Sequence, residues 1–315
     1  MNPHDLNPHY FINPSFHYYT LLISIKIAQA FGYAKTFFQP VKLNVLALPT
    51  EKCLLRDYRR IFVISRLLAT IEGILSLLLI CYIATKLCNK KIGLIATAIF
   101  AILPAPVIQS HFFVVDGPAL FWAMLALAYL VKSYPQPDIS KRWFVISGVL
   151  IGLAVGAKYL NILLIFPFIT LVISNARLSR KKLILYLAIT FFMIILLFLV
   201  TTPHAAISWR EFLFGDKDGF GGLFGSSGLF TYNKHPSNIL KPFTVGLYHS
   251  LRLPLFLLAL SSLIYSLYIR KLSLLILLSF IIPFYIIMII SPSPHLRHTL
   301  PVLPFIAIMM AYFIV

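Results

Sequence analysis

Apolar runs of membrane-spanning length follow one another along most of this chain. They cover about 61–85, 92–110, 117–132, 143–157, 159–175, 183–202, 243–269, 272–291 and 299–315. A helix that crosses a bilayer needs about 20 mostly apolar residues. The runs lack the apolar–polar alternation of barrel strands, and an open strand leaves its backbone unsatisfied in lipid. The pattern predicts an all-α, polytopic transmembrane helix bundle of about nine spanning helices. The stretch 143–175 has only "GAKY" at its middle and is too long for one span, which predicts two helices. The run 17–34 is short and interrupted by Lys26 and Gln29, so it reads as an interfacial or re-entrant N-terminal helix. No internal repeat is visible. The chain reads as one domain, 1–315: an outer-loop and interfacial segment at 1–60, helices at 61–202, an outer loop at 203–242 and helices at 243–315.

The loops set an orientation. Lys86, Lys90 and Lys91 follow the first span; Lys132, Lys141 and Arg142 follow the third. Arg177, Arg180, Lys181 and Lys182 follow the fifth, and Arg270 and Lys271 the seventh. By the positive-inside rule these alternate loops are cytoplasmic. Asp116, Lys158, the segment 203–242 and the loop from Ser291 then lie on the opposite face. Residues 35–60 carry six cations, yet parity places them outside; if 17–34 spans, the N-terminus changes side.

Composition agrees with the pattern. The chain is 60% hydrophobic and 11% charged, with a mean hydropathy of +0.90. A soluble domain is nearer half apolar and about a quarter charged. The net charge of +18 sits mostly in short loops between apolar runs, which excludes the polar basic patch of a nucleic-acid binder. Cys53, Cys81 and Cys88 form no CxxC and no zinc-type spacing with histidine.

Only nine residues are acidic, so the carboxylate of Asp116 before an apolar run demands a reason. One reason is helix capping: Asp before Gly-Pro starts a helix well. The other is function, the default for an ionisable group at membrane depth. Lys158, between two apolar runs, either snorkels to the interface or holds a phosphate. Arg297 is flanked by His295 and His298, a pair that suggests metal only weakly without a carboxylate. Glu72, inside the first span, is expected to pair with Arg66 or another buried cation. "GDKDGFGGLFGSSGLF", from Gly215, lacks the GK[ST] ending of a phosphate loop and reads as a flexible outer loop.

Five stretches in order carry a resemblance: "DLNPHYFINPSFHYY" from Asp5, "SHFFVVDGPALF" from Ser110, "GLAVGAKYLNILL" from Gly152, "TTPHAA" from Thr201 and "RHTLPVLPF" from Arg297. Together they resemble the GT-C glycosyltransferases that use lipid-phosphate sugars, in the branch of the protein O-mannosyltransferases and the aminoarabinose transferase of lipid A. His111 stands where that family usually has Arg. The resemblance implies transfer of a sugar from a polyprenyl-phosphate donor to a hydroxyl of a glycan, lipid or protein acceptor. It implies Asp116 and Asp5 as candidate catalytic acids. It implies Lys158, Tyr159, Arg297, His111 and Asn13 as candidate substrate-binding residues. No cofactor is expected beyond the donor itself, with a divalent metal left open. The expected setting is a bacterial cytoplasmic membrane, with the site facing outward. Family members carry a further N-terminal helix and an outer-loop Asp-Glu pair, which this chain is expected to lack; transfer by residues 1–315 alone is accordingly expected to be weak. An inactive or truncated relative is one alternative. A transporter or scaffold is another, although the paired repeats of transporters are not seen.

Overall fold

Helix starts and stops follow from single residues. Asn89 Oδ1 accepts from the Ile92 N–H at 2.9 Å, and Ser140 Oγ accepts from the Trp143 N–H at 3.3 Å. Each fills a donor that a helix start leaves open. The computed structural model describes residues 11–33, 51–111, 114–132, 134–135, 140–175, 178–215, 222–224, 242–290 and 296–315, and every regular element among them is helical. In chain order these are α1 (Phe16–Ala30), α2 (Glu51–Leu87), α3 (Lys90–Ile102), α4 (Pro104–Ser110), α5 (Asp116–Lys132) and α6 (Lys141–Ala157). A 3-10 turn (Tyr159–Leu164) leads into α7 (Ile165–Asn175), followed by α8 (Arg180–Thr201) and the short α9 (His204–Ile207) and α10 (Trp209–Phe214). A π-helical turn (Pro242–Tyr248) enters α11 (His249–Ile269), then come α12 (Leu272–Ile290), a second 3-10 turn (Leu296–Val302) and α13 (Leu303–Ile314).

The protein is a polytopic helix bundle of the membrane. Among the described residues four segments are long and apolar enough to cross a bilayer alone: Phe62–Leu87, Arg180–Thr201, Gly246–Ile269 and Leu272–Ile289. A fifth exists if α3 and α4 form one span, bent by 66°. The span expected over 92–110 is therefore bent in the middle. Pro104 has no N–H to donate and disfavours helix in the residue before it; Leu103 is extended, at φ −65° and ψ 135°. The other expected spans are shorter helices. α5 and α6 have 17 residues each, the lower limit of about 17 for a crossing. The split expected within 143–175 is present, because Lys158 adopts an extended backbone (φ −158°, ψ 129°) and ends α6.

The packing is that of helices in lipid, with large apolar side chains outside and small or polar ones at contacts. On α2 the buried stripe includes Ser65, Ala69, Glu72, Ser76 and Ile80, while Leu67, Ile71, Ile74 and Leu78 are exposed. α8 buries Thr190, Ile194 and Thr201 and exposes Ile184, Phe192, Ile195 and Val200. Thr190 Oγ1 donates to the Phe144 carbonyl of α6 at 3.1 Å. Gly148 faces Thr190 and Met193, Gly152 faces Ile194 and Leu197, and Gly156 faces Thr201. The two helices therefore run parallel, and the chain between them must return across the bundle. Lys141 and Arg142 share one end with Arg180–Lys182, and Lys158 shares the other with Thr201. The Lys271 ammonium interacts with Cys88 and Tyr134, and donates to Tyr312 Oη at 3.4 Å. The turns carrying Lys90, Lys132 and Lys271 are thereby gathered together.

This arrangement makes a topological prediction. In a cysteine-free background, single cysteines beside Asp116, Lys158 and Thr202 are expected to react with an impermeant thiol reagent from one side of the membrane. Cysteines beside Lys90, Arg180 and Lys271 are expected to react from the other. Labelling beside Lys90 and Asp116 from the same side would contradict the bundle.

Candidate functional site

Asp116 opens α5 and Lys158 closes α6. The antiparallel pairing of these helices puts the two residues together although 42 positions separate them. Lys158 Nζ donates to Asp116 Oδ1, and the side chains are only 13% and 2% exposed. Asn161, wholly buried in the turn after Lys158, fixes the joint. Its Nδ2 donates to the Ala119 carbonyl of α5 at 3.0 Å and to the Ala154 carbonyl of α6 at 2.9 Å. Polar side chains that bridge two helices this way are a recurrent tie between membrane helices. Asn161 was legible as an amide inside an apolar run, yet the sequence reading passed over it.

The N-terminal segment is strapped onto the same place. Tyr159 Oη donates to the Phe11 carbonyl at 2.9 Å. The Phe11 ring is fully buried and meets Phe212 edge-on at 5.6 Å, and Tyr159 lies 6.3 Å from the same ring. The Ser15 N–H donates to Thr202 Oγ1 at 3.4 Å. Phe16 packs on Trp122 of α5 at 5.1 Å. Four of the five stretches singled out in the sequence thus converge on the Asp116–Lys158 pair.

His17, which the sequence reading did not single out, sits among them. It is buried, and its Nδ1 lies 3.2 Å from the Pro14 carbonyl. Burial lowers its pKa to about 4, against the opposing pull of the Pro14 hydrogen bond and the Asp116 charge. The imidazole is therefore neutral at neutral pH.

The other candidates are placed as follows. Tyr159 spends its hydroxyl on the Phe11 backbone. Asn13 lies half-buried in the strapped segment. His111 caps α4, exposed, with Nδ1 2.7 Å from the Val107 carbonyl. Arg297 lies in the second 3-10 turn, which packs on α4 and α5 and is tied to α11 by Ser250 Oγ and Thr299 Oγ1 at 2.8 Å; its side chain falls outside the described residues. Asp5, His295 and most of the glycine-rich loop from Gly215 also lie outside them. The expected Glu72–Arg66 pair is not formed. Six residues on a helix are about 120° apart around the axis; Arg66 lies over the Phe62 ring at 5.9 Å, and Glu72 Oε2 is buried without a hydrogen-bond partner. Beside the site a cavity of about 180 Å³ is lined by Gly73, Ser76, Val107, Gln109, Gly117 and Leu300 among others. Its wall joins the lipid-exposed flank of α2 and α4 to the residue next to Asp116.

A helix bundle with these ordered motifs around one mouth has the fold of the GT-C membrane glycosyltransferases. The sequence model of the dolichyl-phosphate-mannose-protein mannosyltransferase family matches residues 60–201. Solved structures agree. ArnT from Cupriavidus metallidurans in the apo state superposes with a TM-score of 0.62 at 16% identity, covering 96% of this chain and 49% of its own. ArnT bound to undecaprenyl phosphate gives 0.62 at 15%, covering 96% and 50%. The Archaeoglobus fulgidus oligosaccharyltransferase tethered with an acceptor peptide gives 0.59 at 17%, covering 99% and 42%. The chain thus spans about half the length of the solved structures it matches. No curated protein matches it. The resemblance seen in the sequence is therefore matched by a family model and by the fold.

Proposed function

We propose that the protein transfers a sugar from a polyprenyl-phosphate donor to an acceptor hydroxyl, at the non-cytoplasmic face of a membrane. The observation that carries this reading is the buried Asp116–Lys158 pair at the shared mouth of α5 and α6. The chemistry asks for those two groups. The acceptor oxygen attacks the anomeric carbon, the bond from that carbon to the phosphate oxygen breaks, and the acceptor proton passes to a carboxylate. The departing lipid phosphate gains charge and needs a cation. Lys158 carries three N–H donors, so it can hold Asp116 and a phosphate oxygen together. When the phosphate draws on Lys158, the Asp116 carboxylate is left a better proton acceptor. Arg297, carried on the turn packed against α5, is our candidate for a second cation. Asp5 stays a second catalytic candidate, and His111 and Asn13 stay candidates for substrate binding.

The lipid-linked donor is supported by the cavity beside Gly117, which offers an apolar flank next to the carboxylate. It is also supported by ArnT, a protein of this fold that has been captured with undecaprenyl phosphate. The test is donor binding in nanodiscs. Wild type is expected to bind undecaprenyl phosphate saturably, and Lys158→Met to bind it at least about tenfold more weakly, the loss of a charge-assisted hydrogen bond. Unchanged affinity in Lys158→Met would remove the phosphate role and with it this reading of the pair.

A further inference from the structure

We propose that His17 is a sugar-binding residue of this site, its Nε2 lone pair accepting a hydrogen bond from a hydroxyl of the lipid-linked sugar. The proposal rests on the glycosyltransferase reading and deepens it.

The argument begins with the tautomer. Nδ1 lies 3.2 Å from the Pro14 carbonyl, which can only accept. Nδ1 therefore carries the proton, and in a neutral imidazole Nε2 then carries the lone pair. Burial keeps the ring neutral. A lone pair cannot donate to a carboxylate, so Nε2 of His17 does not form a histidine–aspartate dyad with Asp116. Among the described residues the structure gives Nε2 no partner. The residue is 6% exposed, and Nε2 is not one of the atoms sealed inside the protein, so its lone pair is open to a donor from outside the chain.

Position narrows the donor. The residues before His17 are docked on both sides of the mouth: Ser15 on Thr202 after α8, and Phe16 on Trp122 of α5. Tyr18 covers the ring at a centroid distance of 3.8 Å. The Asp116 charge is felt at the imidazole. An acceptor fixed beside the group that faces the anomeric carbon fits a sugar hydroxyl. It does not fit the phosphate, which has no proton to give when ionised. His17 therefore contributes to the sugar and not to the lipid.

Asn at this position keeps a donor N–H near that of Nδ1 and has nothing at the place of Nε2, whereas Gln carries an oxygen to about the place of Nε2. Equilibrium binding to the full protein in nanodiscs is measured with two probes, undecaprenyl phosphate and hexose-bearing undecaprenyl phosphates. Wild type is expected to bind at least one hexose-bearing lipid about fivefold more tightly than the bare one, the size of one neutral hydrogen bond. His17→Asn is expected to lose that preference with unchanged affinity for the bare lipid and an unchanged melting midpoint, and His17→Gln to regain part of it. His17→Asn that keeps the preference, or His17→Gln that restores none of it, would make His17 a structural anchor only. Wild type that binds the bare lipid with no preference for any hexose overturns the role of His17 and leaves the lipid-phosphate reading standing. Wild type that binds neither probe brings down both.

Discussion

Asp116→Asn is expected to reduce sugar transfer by the full-length protein by about a hundredfold or more, the usual loss when a general base is removed. It is also expected to weaken the fold. Asp116 is almost fully buried and its partner Lys158 mostly so, and removing one member of a buried ion pair leaves the other uncompensated, at a cost of about 3 kcal/mol. A pair that merely ties α5 to α6 would show the same loss of stability and lose activity as a consequence. The single variant therefore does not separate the two roles, but a double-mutant cycle does. Asp116→Asn combined with Lys158→Met removes both charges, and the melting midpoint is expected to recover much of the loss. Transfer is not expected to recover, because neither the proton acceptor nor the phosphate cation is present. Activity that returned together with stability would make the pair a strut and nothing more.

The membrane class, the helical character of each run and the break at Lys158 were legible in the sequence, because each depends on local apolarity and on one polar interruption. The kink at Pro104 was legible in principle, since a proline inside an apolar run removes a helical donor, but apolar length alone gives 92–110 as one run and says nothing of a bend. The site was legible in parts. Asp116 and Lys158 each stood out as ionisable groups inside apolar sequence. Their pairing was not visible, because it depends on two helices meeting antiparallel. Glu72 shows the limit from the other side: sequence proximity to Arg66 suggested a pair that helical geometry separates. His17 was missed because it lies in a polar, aromatic segment where a histidine stands out little. Only the docking of Phe11, Ser15 and Phe16 brings that segment to the mouth of the bundle. The fold comparison does not extend this far, since identities of 15–17% establish the shape and not the residues of the site.

Gly152→Leu is expected to prevent the protein from assembling into a stable monodisperse species. Gly148, Gly152 and Gly156 recur every fourth residue, which places them on one face of α6. A Cβ on Gly148 would lie 2.6 Å from the Thr190 carbonyl oxygen, and one on Gly152 would lie 2.8 Å from both the Ile194 carbonyl oxygen and Leu197 Cβ. Backbone meets backbone along this seam, as at small-residue contacts between membrane helices generally. Carbonyls cannot swing aside as side-chain tips do, so even Ala must push the helices apart. Overpacking costs about 1–3 kcal/mol for modest insertions, and a whole leucine side chain exceeds that. The consequence reaches the site, because α6 ends at Lys158 and α8 ends at Thr202, the anchor of Ser15. Gly152→Ala is therefore expected to lower the melting midpoint and weaken donor binding together. Ile195→Leu, a change on the exposed face of α8, is expected to alter neither. A Gly152→Leu protein that melts and binds as wild type would mean that α6 and α8 do not touch along this seam, and the parallel arrangement that orders the whole bundle would fall with it.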